Sequence, residues 1–497
     1  MLAQVIVDIV HENVAHTFTY TVPPGMELSL GQRVEVPFGP RRKEGIIVAF
    51  SEVSDLPPER LRPIRRPLEP YPAVLPQLLI LAQWLAETNH CPLAETLRLM
   101  LPAEMRGGRV QVKTQLTARY TAGADALPQA LERQGRSDKR RMLLTLLKDG
   151  QPHPVAELRM LVRDPLEALH NLEAQGLVAL SQEEVLRRPG GDGEEEPAPD
   201  PPLMPAQQEA LDVILPHLER GDGRFLLHGV TGSGKTEVFI RLVRHTLRRG
   251  RSAIILVPEI ALTPQMVRWF RGRFGPVAAV LHSRLSAGER FDEWRRIRRG
   301  DARVVIGARS AIFAPVEKLG LVVVDEEHEQ TYLSDRHPRY DAREVAAFRC
   351  REEGATLLLS SATPSILSFA KARRGDYTLL EMPHRVMNRP LPAVEVVDMR
   401  AELAQGNRSV FSAPLLSALR ACMDRGEQAM LLMNRRGYHA FVSCRACGHV
   451  MKCPNCDVAM TYHVSGGDGQ LHCHYCGCQL PPPEKCPACG SAYIRYF

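Results

Sequence analysis

Alternating apolar and polar positions mark the first part of the chain as β-rich. The segments that alternate are 5–9, 17–22, 33–38 and 44–49. A period of two places every second side chain on one buried face of a strand. Over 74–100 the apolar residues instead recur every three or four positions, which is typical of an amphipathic helix. We therefore predict a β-rich domain over 1–105, capped by this helical segment.

The next stretch shows three helical patterns followed by a strand pattern. Apolar residues at helical spacing fill 142–147, 155–161 and 166–175, and an apolar run follows at 177–180. This order is typical of a winged-helix domain, which we place at 110–186. A three-helix packing domain without a role in DNA binding is the alternative.

A polar stretch at 187–202 separates these regions from the rest. It is rich in proline, glycine and acidic residues, so it buries too little apolar surface to fold and is predicted to be a linker. Beyond it, short β-branched runs alternate with helical stretches, which predicts a parallel sheet covered by helices. These runs are 224–228, 253–257, 304–306, 321–324, 356–359 and 430–433.

Composition fits a multidomain protein of the cytoplasm. A chain of 497 residues has room for three or four domains, and 44% hydrophobic with 24% charged residues lets each large segment fold. No stretch reaches the roughly 18 apolar residues of a membrane span, and the N-terminus lacks the features of a signal peptide. The net charge of +6 permits nucleic-acid binding without proving it.

A glycine-rich segment is the most specific motif. It consists of Gly229, Val230, Thr231, Gly232, Ser233, Gly234, Lys235 and Thr236. Its position after a predicted strand and before a predicted helix is that of a P-loop, whose backbone amides surround phosphate at a helix N-terminus. We expect this segment to bind ATP, with Lys235 reaching the β- and γ-phosphates and the Thr236 hydroxyl ligating Mg²⁺.

Two further motifs follow core strands. Asp-Glu-Glu-His at 325–328 comes directly after an apolar strand, and Ser-Ser-Ala-Thr at 360–363 follows the next one. Ligands bind at such carboxyl ends in a doubly wound sheet. We predict that Asp325 holds Mg²⁺ and that Glu326 polarises the attacking water. Each motif alone is compatible with a plain loop, but the second resembles motif III of superfamily 2 helicases, and the three in this order predict a helicase motor.

Nine of the twelve cysteines lie between Cys444 and Cys489. Eight of them form the Cys-x-x-Cys pairs Cys444/Cys447, Cys453/Cys456, Cys473/Cys476 and Cys486/Cys489. Eight thiolates suffice for two tetrahedral zinc sites, although the spacing leaves open which pairs share an ion. A redox dithiol is the alternative for one pair. Cys478, His472 and His474 are spare ligand candidates for which we favour surface or packing roles.

Five segments carry a resemblance to one protein family, and the resemblance extends over the whole chain. They are 257–265, 281–283, 307–313, 325–328 and 434–438. These segments resemble the primosomal protein N′ (PriA) family of bacterial replication-restart helicases. The resemblance implies an ATP-dependent 3′→5′ DNA helicase that recognises abandoned replication forks, initiates primosome assembly, and uses ATP, Mg²⁺ and two Zn²⁺. It also implies a cytoplasmic, nucleoid-associated protein that acts without a membrane.

The fold class expected from this resemblance is multidomain α/β. Its parts are a β-rich domain that binds DNA 3′ ends (1–105), a winged helix (110–186), a linker (187–202), a RecA-like first helicase lobe (203–390), the start of a second lobe (391–443), a zinc-binding insertion (444–490) and a return to the second lobe (491–497).

The family also implies roles for individual residues. The outer two cysteine pairs share one zinc and the inner two share the other. Gln207 matches an adenine-reading glutamine, although Gln208 beside it makes the assignment ambiguous. The segment 332–343 resembles a loop that couples single-stranded DNA to hydrolysis. In that loop we expect base stacking by Tyr332 and Tyr340 and phosphate contacts by Arg336, Arg339 and Arg343.

In the first domain, two segments resemble the family's pocket for a leading-strand 3′ end. They contribute Phe18, Thr19, Tyr20 and Gly39 as expected DNA contacts. Thr19 stands where the family often has an acidic residue, which leaves selectivity for the 3′-hydroxyl open. Core packing of Phe18 and Tyr20 is the alternative.

The chain stops shortly after the last cysteine, so we expect it to lack the family's motif VI. An arginine from that lobe commonly contributes roughly 10³ or more in rate to such motors. The alternative function is therefore a non-catalytic fork-binding scaffold that recruits primosome partners, and a restriction-type or chromatin-type translocase is a third hypothesis. Expected partners are forked and single-stranded DNA, single-strand binding protein, primosome components and the replicative helicase loader.

Overall fold

The computed structural model describes residues 1–9, 16–54, 56–108, 110–187, 201–388, 390, 392–432, 442–465 and 468–496. The chain divides into two compact units, 1–389 and 390–497. Most of the predicted linker and the segment 434–438 lie outside the described residues. Among the described residues, every helix is too short or too polar to span a lipid bilayer.

The N-terminal region is a six-stranded sheet of mainly antiparallel pairs. Its strands are β1 (Leu2–Val7), β2 (Phe18–Thr21), β3 (Arg33–Phe38), β4 (Arg41–Ser51), β5 (Arg62–Pro63) and β6 (Arg66–Pro67), in the order β5-β2-β1-β4-β3-β6. Ala3, Val5 and Val7 are fully buried on one face, as the alternating pattern predicts. The hydroxyl of Tyr20 on β2 donates to the carbonyl of Pro37 on β3 at 3.0 Å, although β1 and β4 lie between these strands in the sheet order.

Two helices connect this sheet to the rest of the first unit. They are α1 (Pro76–Asn89) and α2 (Leu93–Leu97). Their buried leucines share one core cluster with Ile6 of β1 and with the α/β region that follows. The ring of Trp84 stacks on Phe348 with centroids 4.2 Å apart. The helices thus cap the β-sheet as predicted and also pack against the α/β region.

The segment 114–184 has the winged-helix order. Its elements are β7 (Thr114–Tyr120), α3 (Leu127–Arg133), α4 (Asp138–Leu146), β8 (His153–Pro154), α5 (Val155–Leu161), α6 (Leu166–Ala174) and β9 (Val178–Glu184). The strands pair antiparallel in the order β8-β7-β9. Leu143, Leu169 and Leu172 are fully buried between the helices. The first strand, β7, was not among the predicted elements.

A seven-stranded parallel sheet forms the centre of the first unit. Its strands are β10 (Arg224–Gly229), β11 (Ser252–Leu256), β12 (Ala278–Leu281), β13 (Val304–Gly307), β14 (Leu319–Val324), β15 (Thr356–Ser361) and β16 (Thr378–Met382). Its helices are α7 (Pro205–Arg220), α8 (Lys235–Arg248), α9 (Pro264–Phe274), α10 (Ala287–Arg299), α11 (Ala342–Glu353) and α12 (Ile366–Arg373). The strand order is β12-β13-β11-β14-β15-β10-β16. Leu226 and Leu227 belong to different core clusters, so both faces of the sheet are covered.

The second unit is small. Its elements are α13 (Met399–Ala404), α14 (Ala413–Asp424), β17 (Val442–Cys444), β18 (Thr461–Ser465), β19 (Asp468–His472), β20 (Gln479–Leu480) and β21 (Ile494–Tyr496). β17 pairs with β21, and β18, β19 and β20 form a second sheet. The strand predicted at 430–433 is wrong for its described part, because residues 430–432 lie exposed outside any strand. The domain limits given above stay predictions.

Candidate nucleotide site and metal centres

The parallel sheet brings three sequence motifs to one edge. Gly229 ends β10, Ser360 and Ser361 end β15, and Asp325 follows β14 directly. β15 lies between β14 and β10 in the sheet. Because the carboxyl ends of parallel strands share an edge, motifs far apart in sequence become neighbours at a typical ligand site of this architecture.

The glycine-rich loop lies between the end of β10 and the start of α8. Lys235 begins α8, and its Nζ donates to the carbonyl of Gly229 at 2.7 Å. The hydroxyl of Ser233 is buried without a hydrogen-bond partner in the described structure. Gly234 has φ of +83°, and an added Cβ there would meet Nε2 of Gln207. An orphaned buried donor and a lysine at a helix N-terminus fit a phosphate ligand.

The structure separates the two adjacent glutamines. Gln207 is buried, its Nε2 donates to the Gly234 carbonyl at 3.1 Å, and its Oε1 accepts from the Met204 amide at 2.7 Å. Gln208 instead points to solvent and donates to Asp212 at 2.7 Å. Of the two, Gln207 is therefore the one held against the P-loop.

Arg385 is a residue beside the P-loop that the sequence analysis missed. Its Nε donates to the carbonyl of Thr231 at 3.2 Å, and the next amide, of Val386, donates to the Gly232 carbonyl at 2.9 Å. Arg385 lies after β16, which pairs with β10. No motif marks it, and only the strand order reveals that the chain returns to the glycine-rich loop.

Asp325 lies in a setting suited to a cation. One of its carboxylate oxygens accepts from the hydroxyl of Ser360 at 3.1 Å and from the amide of Glu326 at 3.0 Å. Burial, together with the nearby carboxylate of Glu326, raises the pKa of Asp325 to about 6, while Lys235 opposes this. A buried carboxylate near a second one favours a cation between them and the phosphates. Glu326 has φ of +45°, a conformation that non-glycine residues rarely adopt and that clusters at functional sites.

Glu327 connects this motif to the Ser-Ser-Ala-Thr segment. Its fully buried carboxylate accepts from the Ser365 amide at 2.6 Å, the Ser365 hydroxyl at 3.0 Å and the Ser368 hydroxyl at 2.8 Å. His328 contacts the hydroxyl of Ser361, Nδ1 to Oγ, at 2.7 Å. The Asp-Glu-Glu-His segment is thus joined to both strand end and following helix α12.

One predicted DNA contact in the segment 332–343 is wrong. Tyr332 is only 1% exposed, and its hydroxyl donates to the Asp325 carbonyl at 2.6 Å. Burial raises the pKa of this hydroxyl well above its usual range. The ring is part of the core beneath Asp325 and has no face for a base.

The other residues of this segment are placed differently. Arg336 and Arg339 are exposed. Tyr340 is half-buried, packs edge-on against Phe313 with centroids 4.9 Å apart, and lines a cavity of about 730 Å³. Arg343 donates to Asp341 at 2.7 Å and to the Glu327 carbonyl at 2.7 Å. Tyr340, Arg336 and Arg339 stay candidates for DNA contact. Arg343 instead bonds the backbone of Glu327, in the Asp-Glu-Glu-His segment of the nucleotide site.

The proposed 3′-end pocket is brought together in part. Phe18 packs edge-on against Phe38 with centroids 5.1 Å apart, and Thr19 donates to Gln4 Oε1 at 3.2 Å. Gly39 lies exposed in the turn between β3 and β4. Tyr20 is 4% exposed, and burial raises its pKa to about 12. The expected contact of Tyr20 with DNA is therefore wrong, because its ring fills the core of the sheet.

The eight paired cysteines form two clusters. One holds Cys444, Cys447, Cys486 and Cys489, and the other holds Cys453, Cys456, Cys473 and Cys476, with all four sulfurs of each cluster within 4.8 Å of one another. The closest pairs that define them are 3.6 to 3.7 Å apart. Four thiolates about 2.3 Å from a tetrahedral zinc lie about 3.8 Å apart, so both clusters fit zinc. This grouping is the one that the family resemblance implies.

Each Cys-x-x-Cys pair forms the same tight turn. The residue after each second cysteine has a left-handed backbone, and its amide donates to the carbonyl of the first cysteine at 2.8 to 2.9 Å. These residues are Gly448, Asp457, Gly477 and Gly490. A backbone hydrogen bond from Cys478 is the main cause that lowers the pKa of Cys476 to about 6. The Cys456 thiol is shifted the other way, because its hydrogen bond to Cys476 is the main cause that raises its pKa to about 12. The turns therefore favour the thiolate, the metal-binding form, at Cys476 but not at every sulfur of the cluster.

Three family models match the chain. The 3′DNA-binding domain of PriA matches residues 4–102, the DEAD/DEAH box helicase matches 204–370, and the Cys-rich region of the PriA DNA helicase matches 453–481. The replication restart protein PriA of Bacillus subtilis (strain 168) is 38% identical over 565 residues, covering 100% of this chain and 69% of that protein. The chain belongs to the PriA family. The PriA of Synechocystis sp. (strain PCC 6803) is 37% identical, with 97% of this chain and 67% of the relative covered.

Membership of the PriA family confirms the resemblance and the helicase prediction. The PriA of Treponema pallidum (strain Nichols) is 46% identical over 294 residues, covering 59% of this chain and 43% of that protein. The chain spans about two thirds of the length of the first two PriA relatives. The matched regions include the three strand ends that meet at the sheet edge and the inner cysteine cluster.

Proposed function

We propose that this chain is an ATP-dependent 3′→5′ DNA helicase that recognises abandoned replication forks and initiates primosome assembly. The observation that carries the proposal is the meeting of the P-loop, Asp325 and Ser360 at one edge of the parallel sheet. Membership of the PriA family and the match to a 3′DNA-binding domain support action at forks.

The residues at the sheet edge divide the work of nucleotide hydrolysis. The amides of the P-loop and Nζ of Lys235 bind the phosphates, which requires Lys235 to exchange its bond to the Gly229 carbonyl for a phosphate oxygen. Thr236 and Asp325 hold Mg²⁺, which when bound neutralises charge on the β- and γ-phosphates. Glu326 orients the attacking water, and Gln207 reads the adenine ring.

Hydrogen bonds from this edge give a physical route between DNA and nucleotide. Arg343 joins the segment 332–343 to the carbonyl of Glu327 at 2.7 Å, and Glu327 holds the start of α12. Tyr332, in the same segment, donates to the Asp325 carbonyl at 2.6 Å. A shift of that segment on binding single-stranded DNA therefore moves a group that contacts Asp325. Two zinc ions at the cysteine clusters hold the loop-rich part of the second unit together.

The partners of this function are nucleic acid and the restart machinery. Forked and single-stranded DNA are bound through Phe18, Thr19 and Gly39 of the N-terminal sheet and through Arg336, Arg339 and Tyr340. Single-strand binding protein, primosome components and the replicative helicase loader are the protein partners, and the place of action is the nucleoid.

The fork-recognition part is tested by DNA binding. Fluorescence anisotropy compares forks whose leading-strand 3′ end at the junction carries a hydroxyl or a phosphate. We expect tighter binding of the hydroxyl fork by this chain and loss of the preference in Phe18→Ala. Phe50→Ala is the matched control, since Phe50 packs on the same sheet core. Equal affinity for both forks would contradict 3′-end recognition.

A further inference from the structure

Three histidines gather on one face of the β18–β19 hairpin. His463 lies opposite Gln470 in the antiparallel register. His472 stands two residues beyond Gln470, so it is the diagonal neighbour of His463 on the same face. Leu471, which lies between Gln470 and His472 in the sequence, points into the core of the second unit. His474 is the second residue after β19 and lies between Cys473 and Cys476, in a turn of the inner cysteine cluster.

Two of these imidazoles are in direct contact. Nε2 of His463 lies 2.9 Å from Nε2 of His474. The ring of His472 lies 4.8 Å from that of His463, centroid to centroid. His474 is exposed and His463 half-buried, so solvent reaches the pair. An incoming ion therefore has an entry path and water to complete its coordination.

We propose that His463 and His474 form a third metal site, separate from the two Cys₄ clusters, for a late first-row divalent ion. Ligands about 2.0 to 2.1 Å from an ion lie about 2.9 Å apart when they are cis in tetragonal or octahedral geometry, and about 3.4 Å apart in tetrahedral geometry. The 2.9 Å separation of the two Nε2 atoms fits tetragonal or octahedral geometry. Imidazole donors with water suit Ni²⁺ or Cu²⁺, and His472 lines the site as a neighbour.

The donor chemistry keeps this site distinct from the zinc clusters. Thiolates are soft ligands that hold Zn²⁺ tightly in closed tetrahedra, whereas a nitrogen pair with open positions binds reversibly. The amount of bound zinc per chain therefore reports how much of the protein is folded when a second metal is added.

The test is a metal count on the full chain, purified without an affinity tag. The protein is dialysed against micromolar Ni²⁺, and bound zinc and nickel are measured by plasma emission spectroscopy. Wild type is expected to hold two zinc and one nickel per chain. His463→Gln and His474→Gln are expected to lose the nickel while His463→Gln keeps both zinc ions.

His449→Gln is the matched control, because His449 lies beside the other Cys₄ cluster, two residues after Cys447. It is expected to keep the nickel. Absence of nickel from the wild type, or nickel retained by His463→Gln, would overturn the proposal and leave the contact as a hydrogen bond between two imidazoles. If His474→Gln disturbs the zinc of the inner cysteine cluster, His463→Gln alone still shows whether the nickel depends on the histidine pair.

Discussion

The buried carboxylate of Glu327 offers a sharp test of how the nucleotide site is held together. It accepts three hydrogen bonds, from the Ser365 amide, the Ser365 hydroxyl and the Ser368 hydroxyl, at 2.6 to 3.0 Å. Glu327→Gln keeps the shape of the side chain but removes its charge. The amide keeps one acceptor oxygen but presents an NH2 donor in place of the other, so part of these bonds is lost or reversed. The bonds that remain lose charge assistance, which makes a hydrogen bond roughly twice as strong.

The expected magnitude follows from these bonds. Losing about 1 kcal/mol at each of three bonds lowers the local opening free energy by about 3 kcal/mol. Since about 1.4 kcal/mol changes an equilibrium constant tenfold, the equilibrium constant for local opening rises about a hundredfold. Amide protons that exchange through this local opening then exchange about a hundredfold faster. The amide of Ser368, which donates to the Ser365 hydroxyl at 3.2 Å, reports on the start of α12.

Hydrogen exchange followed by mass spectrometry measures this effect in peptides that cover the start of α12. Glu329→Gln is the matched control, because Glu329 lies two residues away and is only partly buried. We expect the control to exchange as the wild type does. Equal protection of α12 in Glu327→Gln and in wild type would refute the claim that this carboxylate holds the motif and helix together.

Three further substitutions test other parts of the molecule. Because Arg385 bonds the Thr231 carbonyl of the P-loop, we expect its guanidinium to reach the phosphates of a bound nucleotide. Arg385→Ala should then weaken binding of a non-hydrolysable ATP analogue about tenfold in calorimetry; an affinity equal to that of exposed Arg374→Ala would contradict this phosphate contact. Cys453→Ser should lower the zinc content from two ions to one per chain, whereas two retained ions would exclude the inner cluster as a ligand set. Tyr332→Phe removes the bond to the Asp325 carbonyl and should lower the unfolding free energy by about 1 kcal/mol in denaturant titration; unchanged stability would argue against that bond.

Motifs whose chemistry depends on local spacing could be located from the sequence. The P-loop needs glycines, a lysine and a hydroxyl in one short segment, and the structure places this segment between the end of β10 and the first turn of α8. Strand ends could also be placed, because apolar β-branched runs mark the strands and polar residues follow them. The parallel sheet then brings Asp325 and Ser360 together without further assumptions.

Features that depend on the fold at long range were not predictable. Tyr20 and Tyr332 stand in segments with functional neighbours, and sequence does not tell whether such a ring faces solvent or the core; both are buried. Arg385 approaches the P-loop only because β16 pairs with β10. The histidine pair depends on the register of β18 and β19, which brings together residues eleven positions apart.

The central claim, a DNA-coupled ATP motor at the sheet edge, is tested most directly by the rate of ATP hydrolysis with and without a forked DNA that has a leading-strand 3′ end at its junction. We expect the fork to stimulate the rate in the wild-type chain and the rate to fall to background in Lys235→Ala, while Lys235→Ala still binds the fork. A fork-stimulated rate that persists in Lys235→Ala, or a wild-type chain that binds the fork without any stimulated hydrolysis, would contradict it.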